Sequence, residues 1–160
     1  MRAISVHPDA IVVTSLFWQC NAIALRAGEE AMLIDSPYFP DELELLPGVL
    51  AQSGFEPNAL LATHGDFDHM LGRLAFPDLA LGVAESTMRR IRERPGEAQR
   101  ELRDYDAEAY VERAKPLRQI DADLAYLDAL ERGEERPSLP EGRDSKRQHE
   151  IHAENLAQTA

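Results

Sequence analysis

At 160 residues, with 44% apolar and 6% aromatic side chains, the chain has the size and core-forming content of one ordinary domain, which excludes a disordered segment. Its 29 acidic against 17 basic side chains leave a formal charge of −12, so neither nucleic acid nor an anionic membrane surface is expected as a partner. Cys20 is the single cysteine, which rules out an intrachain disulfide; it is expected to be a buried, inert thiol within a strand.

The apolar stretch from Ala10 to Ala24 ends in an A-x-A-like Ala22-Ile23-Ala24, but Asp9 precedes it and Gln19 and Asn21 interrupt it. It lacks the basic start of a signal peptide and the length of a membrane span, and a cytoplasmic protein is expected. Residues 1–80 hold three basic and eleven acidic side chains, against fourteen and eighteen in residues 81–160. A charge-sparse, sheet-rich front followed by charge-dense helices is the expected organisation.

In chain order, the β-branched and aromatic run from Ile11 to Trp18 predicts a strand. Ala22–Leu25 and Ala31–Ile34 flank Gly28-Glu29-Glu30 as a hairpin that leads into the turn Asp35-Ser36-Pro37. Leu43, Leu46 and Leu50 recur at helical spacing up to Ser53-Gly54, with Pro47 expected to bend the helix or restart it. A strand over Ala59–Ala62, the polar cluster Thr63–His69, a short helix over Met70–Leu74 and a strand over Leu79–Val83 follow. The order β-β-β-α-β-α-β predicts an α/β domain with helices layered on a sheet.

Beyond Glu85 only helices are expected. Ser86 caps one that runs to Arg94, where Pro95-Gly96 breaks it, and Glu97–Arg113 forms the next. Leu117, Ile120, Leu124 and Leu127 make an amphipathic stripe, residues 133–145 read as a loop, and residues 147–157 as a last helix. The division expected is 1–116 for the α/β half and 117–160 for a helical tail.

Chemistry concentrates in Thr63-His64-Gly65-Asp66-Phe67-Asp68-His69. Directly after an apolar strand, His64, Asp66 and Asp68 alternate at i, i+2 and i+4 and share a side, and His69 follows where the chain turns into a helix. Imidazole nitrogens and carboxylate oxygens are ligands for divalent transition metals. The competing reading takes Asp68 as a helix cap, Asp66 as a turn residue and both histidines as structural.

This heptapeptide resembles the T-H-x-H-x-D-H signature of the metallo-β-lactamase-fold hydrolases, and its H-G-D-F-D-H is similar to a bacterial subgroup carrying H-G-D-[FW]-D-H. Asn21–Leu25, Gly28 and Met32–Asp35 resemble the family's opening hairpin, and Leu71–Pro77 continues the likeness, which runs from about residue 10 to 115. The resemblance implies part of an αββα sandwich, the first sheet with its helices and then a helical C-terminal tail. It implies that His64 ligates a first metal, that Asp68 and His69 ligate a second, and that Asp66 stands where most members have a histidine. The implied metal is zinc, and the added carboxylate makes iron or manganese credible beside it. Asp68 would be the catalytic residue, orienting metal-bound hydroxide against an ester, thioester, lactone or phosphoester of a small-molecule substrate, and Asp35 would be structural.

The family's later ligands, in G-H-T-like and P-G-H-G-like turns and on a bridging aspartate, have no counterpart after His69. The only later histidines, His149 and His152, are spaced i, i+3 and are expected on a solvated helix face. Residues 117–130 and 147–155 resemble the subgroup's C-terminal tail, which implies an internal deletion joined near Ala114–Ile120. About two protein ligands would remain per metal, giving weak or partial occupancy. An apolar sheet face would be left open, for the Leu117–Leu130 helix to cover or for two chains to pair as a homodimer. A metal-dependent hydrolase and an inactive member that persists as a binding or oligomerising module are thus both open, beside a plain acidic α/β domain.

Overall fold

The structure is a computed structural model that describes residues 1–114 and Leu117. Six strands, β1 (Arg2–His7), β2 (Ala10–Thr14), β3 (Asn21–Ala27), β4 (Glu30–Ile34), β5 (Ala59–Leu61) and β6 (Leu81–Gly82), form one sheet in chain order. The first four are antiparallel, and β5 and β6 join parallel to β4. Among the described residues there are four α-helices: α1 (Pro40–Gln52), α2 (Gly72–Ala75), α3 (Glu85–Glu93) and α4 (Glu97–Glu108). The α/β expectation holds, with one more strand at the front. Among the described residues there is a single sheet.

The alternation of β2, β3 and β4 sends Ile11, Val13, Ala22, Ala24 and Leu33 to one face, where they pack with Leu60 of β5 and Leu46 and Leu50 of α1. These are the α1 positions its leucine spacing predicts. Pro47 neither ends nor splits α1, which runs unbroken through it, although the ring removes the N–H that would reach the Leu43 carbonyl. Glu42 closes the start of α1 and also pins the β2–β3 loop. Its buried carboxylate accepts from the Phe39 N–H (3.2 Å), the Leu16 N–H (2.9 Å) and the Ser15 hydroxyl (2.6 Å).

No helix among the described residues packs on the opposite face. Register places Ile4, Val12, Ile23, Ile34 and Leu61 in one row and Leu25 and Met32 beside it. Ile4, Val6, Leu25 and Met32 are exposed, and Ile23, Ile34 and Leu61 are half-buried. An apolar face left open is therefore present in the described residues.

Several boundaries differ from the sequence reading. β1 is an added strand: Ile4 and Val6 alternate with Ser5 and His7, but none of its residues is buried. The strand expected over Ile11–Trp18 stops at Thr14, because Trp18 and Gln19 take left-handed backbone angles and the chain loops. Cys20 closes that loop instead of lying within a strand, and it is half-buried. The helix expected over Met70–Leu74 divides into a single 3₁₀ turn at Phe67–Met70 and α2. The strand expected over Leu79–Val83 shrinks to β6. Ala84, not Ser86, precedes the first turn of α3, and Ser86 lies inside the helix. α4 stops at Glu108, short of Arg113: Tyr110 is left-handed, and the Val111 N–H returns to the Asp106 carbonyl in a Schellman-type close. Arg113 then doubles back to pair with Asp106.

Buried Leu117 joins the second core cluster with Tyr38, Leu43, Met70, Leu71 and Leu102. The rest of the amphipathic stripe, the loop over 133–145, the helix over 147–157, His149 and His152 lie outside the described residues, as does the division at 116/117. No helix among the described residues is long and apolar enough to cross a membrane.

Candidate functional site

All four sequence-predicted residues come together past the carboxyl end of β5, at the rim where parallel strands of α/β folds place their sites. The loop is tied down from both sides. Ser36 donates to the Asp68 carbonyl at 3.0 Å, and Phe67 is buried against Tyr105 of α4, with ring centroids 5.1 Å apart. Gly65 is required by its neighbour: a Cβ there would sit 2.9 Å from the Thr87 methyl of α3. Neither aspartate is a cap. Asp66 precedes the 3₁₀ turn without a side-chain hydrogen bond to it, and Asp68 lies within it.

Asp35 organises the histidines. It ends β4 in a left-handed conformation (φ 57°), a strained geometry for a non-glycine residue. Its carboxylate accepts from the Thr63 N–H (2.8 Å) and the Thr63 hydroxyl (2.9 Å), and it faces buried His69 Nδ1 at 3.2 Å. The last contact is an ion-pair separation without good hydrogen-bond alignment. With the Thr63 proton given to Asp35, the same hydroxyl oxygen is left to accept from His64 Nδ1 at 3.0 Å. A neutral His64 ring that donates from Nδ1 to this oxygen leaves its Nε2 as an acceptor.

Each Nε2 faces a carboxylate oxygen. His64 Nε2 is 3.4 Å from Asp66 Oδ2, and His69 Nε2 is 3.5 Å from Asp68 Oδ2. A proton on the ring nitrogen makes such a contact an ion pair, and a shared cation satisfies it equally. Donors sharing a tetrahedral ion at ordinary zinc bond lengths are about 3.4 Å apart. Both histidine–aspartate pairs therefore fit one edge of such a site, and the two rings lie 3.8 Å apart. No group of three or more histidine, cysteine, aspartate or glutamate side chains is placed to hold one ion among the described residues. Each pair offers two donors.

The Asp35 contact, against some desolvation and with help from the charges of Asp68 and Asp66, raises the pKa of His69 above its ordinary value. Burial works to raise the Asp35 carboxyl, but His69 and the two Thr63 donors outweigh it and hold it below the usual carboxylate range.

Sequence reasoning missed three participants. Thr63 links the histidines through Asp35. Arg90 of α3 sets its Nη1 3.1 Å from Asp66 Oδ1. Cys20 points its Sγ at Asp68 Oδ2, 3.9 Å away. Burial first, then the Asp68 charge, pushes this thiol up. Beside it, exposed Leu16 and Trp18 stand on the β2–β3 loop, with Trp18 edge-on to Tyr105.

Comparison with known proteins follows this geometry. A search of curated proteins returns no match. Among solved structures, the DIM-1 metallo-beta-lactamase exposed to ceftazidime is 20% identical with a TM-score of 0.48, over 57% of this chain and 46% of that one. A metallo-beta-lactamase from Pontibacter korlensis is 16% identical with a TM-score of 0.46, over 58% and 47%. TMB-1 is 16% identical with a TM-score of 0.45, over 57% and 46%. The chain thus spans less than half the length of these structures. Residues 16–80, which carry the β2–β3 loop, Asp35 and the whole of Thr63–His69, match the family model described as the metallo-beta-lactamase superfamily.

Proposed function

We propose that the chain carries the metal-binding strand-and-loop of a metal-dependent hydrolase, with His64 and Asp66 holding one divalent ion and Asp68 and His69 another. The observation that carries this reading is the pair of Nε2 atoms, 3.4 and 3.5 Å from carboxylate oxygens, with Asp35 facing His69 Nδ1 and the Thr63 hydroxyl beside His64 Nδ1. Zinc suits the imidazoles, and the excess of carboxylate admits iron or manganese. A divalent ion so held supplies Lewis acidity and brings the pKa of water toward neutrality.

The chain's own residues do the rest. Asp35 fixes the His69 ring and its tautomer, as an outer carboxylate does behind a ligating histidine. Asp68, half-buried and with one oxygen toward His69, is placed to orient attacking water and accept its proton. Exposed Leu16 and Trp18 give the rim an apolar shoulder, which suits an ester, thioester, lactone or phosphoester with an apolar group beside the scissile bond. The test is hydrolysis of a panel of such substrates by the full chain. Turnover that EDTA removes, zinc or manganese restores and Asp68→Asn abolishes supports the reading.

The two-donor limit favours a second reading, an inactive member that keeps the fold as a binding module. No turnover with any tested metal, in protein shown to bind that metal, would select it.

A further inference from the structure

Resting on the metal-binding reading of the site, we propose that its two histidine–aspartate pairs are unequal and that Arg90 makes them so. The first divalent ion goes to Asp68 and His69, while the Arg90 guanidinium disfavours a dication at His64 and Asp66. Each pair offers one imidazole and one carboxylate, so ligand chemistry does not separate them. Their surroundings do.

The Asp66 carboxylate is shared. Its Oδ1 accepts from Arg90 Nη1 at 3.1 Å while Oδ2 faces His64. Arg90 is held at that place by Glu97, on Nε at 2.8 Å, and by Glu101, on Nη2 at 3.5 Å. A fixed positive charge thus touches the carboxylate that an ion would need. The two outer glutamates offset that charge from the far side of the guanidinium. Around the other pair the added charge has the opposite sign: Asp35 lies against His69 Nδ1 at 3.2 Å.

Burial widens the difference. The side chains of His64 and Asp66 are 50% and 54% exposed, against 21% and 13% for His69 and Asp68. Charges in the less exposed pair are less screened, so the same unit charge attracts a dication more strongly there. Arg90 acts through Asp66 and is a positioning residue. It fixes Asp66 Oδ2 toward His64 and opposes a second dication at that carboxylate.

Calorimetric titration of the full, metal-stripped chain with zinc chloride tests this. The wild type is expected to take one zinc tightly and a second at least about tenfold more weakly, given one unit charge at contact distance. Asp68→Ala is expected to abolish the tight event and His64→Ala to leave it intact. Arg90→Gln is expected to strengthen the weak event, and Arg90→Lys, which keeps the charge, to preserve the wild-type ratio. Equal affinities in the wild type, a tight event lost in His64→Ala but kept in Asp68→Ala, or a ratio unmoved by Arg90→Gln would each overturn the proposal and leave the metal-binding reading standing. Absence of any zinc binding would overturn both.

Discussion

The covered face of the sheet and the rim at its carboxyl end are built from the same two strands by different physics. β4 gives Leu33 to the core and, two residues on, Asp35 to the rim; β5 gives Leu60 to the core and then Thr63. Under α1, stability rests on apolar area, and side chains such as Leu33, Leu46 and Leu50 have no exposure at all. At the rim little apolar area is buried, and position is set by the Thr63 donors to Asp35, the His69 ion pair and Ser36 on the Asp68 carbonyl. Backbone strain is placed accordingly. Trp18, Gln19 and Asp35, three of the four non-glycine residues with positive φ among the described residues, lie on the loops around the site. A scaffold that keeps its stability elsewhere can hold two histidine–aspartate pairs at a polar rim.

The largest expected effect tests whether the core is separate from the rim. Leu46→Ala should cost about 2–5 kcal/mol in urea denaturation, because a fully buried leucine leaves a cavity against β2, β3 and β4. Zinc affinity of the molecules that remain folded should be unchanged. Loss of affinity in proportion to stability would show that the two regions are not independent.

Next in size is Asp35→Asn, which keeps the shape and removes the charge behind His69. Zinc affinity should fall by about 10–100-fold, as it does when an outer carboxylate is lost, while the urea midpoint moves less than in Leu46→Ala. The reverse ranking would make Asp35 a fold residue and not a site residue.

The pH dependence follows from the raised His69 and works in opposite directions for the two regions. Protonated His69 stabilises the metal-free fold. That contribution is complete below the ordinary value of 6.5 and is lost as pH rises through the higher folded value. Zinc needs the deprotonated ring, so its affinity should rise by up to about tenfold per pH unit up to the same point. Calorimetry in buffers of different ionisation enthalpy should show a proton released on binding.

The smallest effect is predicted for the uncovered face. Met32→Lys, at an exposed position there, should change stability by no more than about 0.5 kcal/mol. A larger loss would show that this face is covered in solution.

How much of this could be read from the chain depended on how local each signal was. The β3–β4 hairpin was legible because Gly28, in a left-handed turn, separates two apolar runs, and α1 because its leucines repeat within one helix. The site loop was legible because four donors lie within six residues. β1 escaped because its alternation rests on only two apolar positions, Ile4 and Val6. The early end of α4 escaped because its stop is a left-handed tyrosine and not a glycine. Arg90 and Cys20 escaped for a tertiary reason. Nothing in a charge-dense helix marks the one arginine that reaches Asp66, and no local pattern places Cys20 on Asp68.

The central claim is that Thr63–His69 is a cation site organised by Asp35, and zinc retention measures it most directly. The full chain, equilibrated with zinc and dialysed against metal-free buffer near pH 7.5, should hold about one zinc by elemental analysis, given one less exposed, more anionic pair. Asp68→Ala and His69→Ala, with unchanged circular dichroism, should hold none. Equal zinc in wild type and both variants, or none in the wild type, would contradict the account.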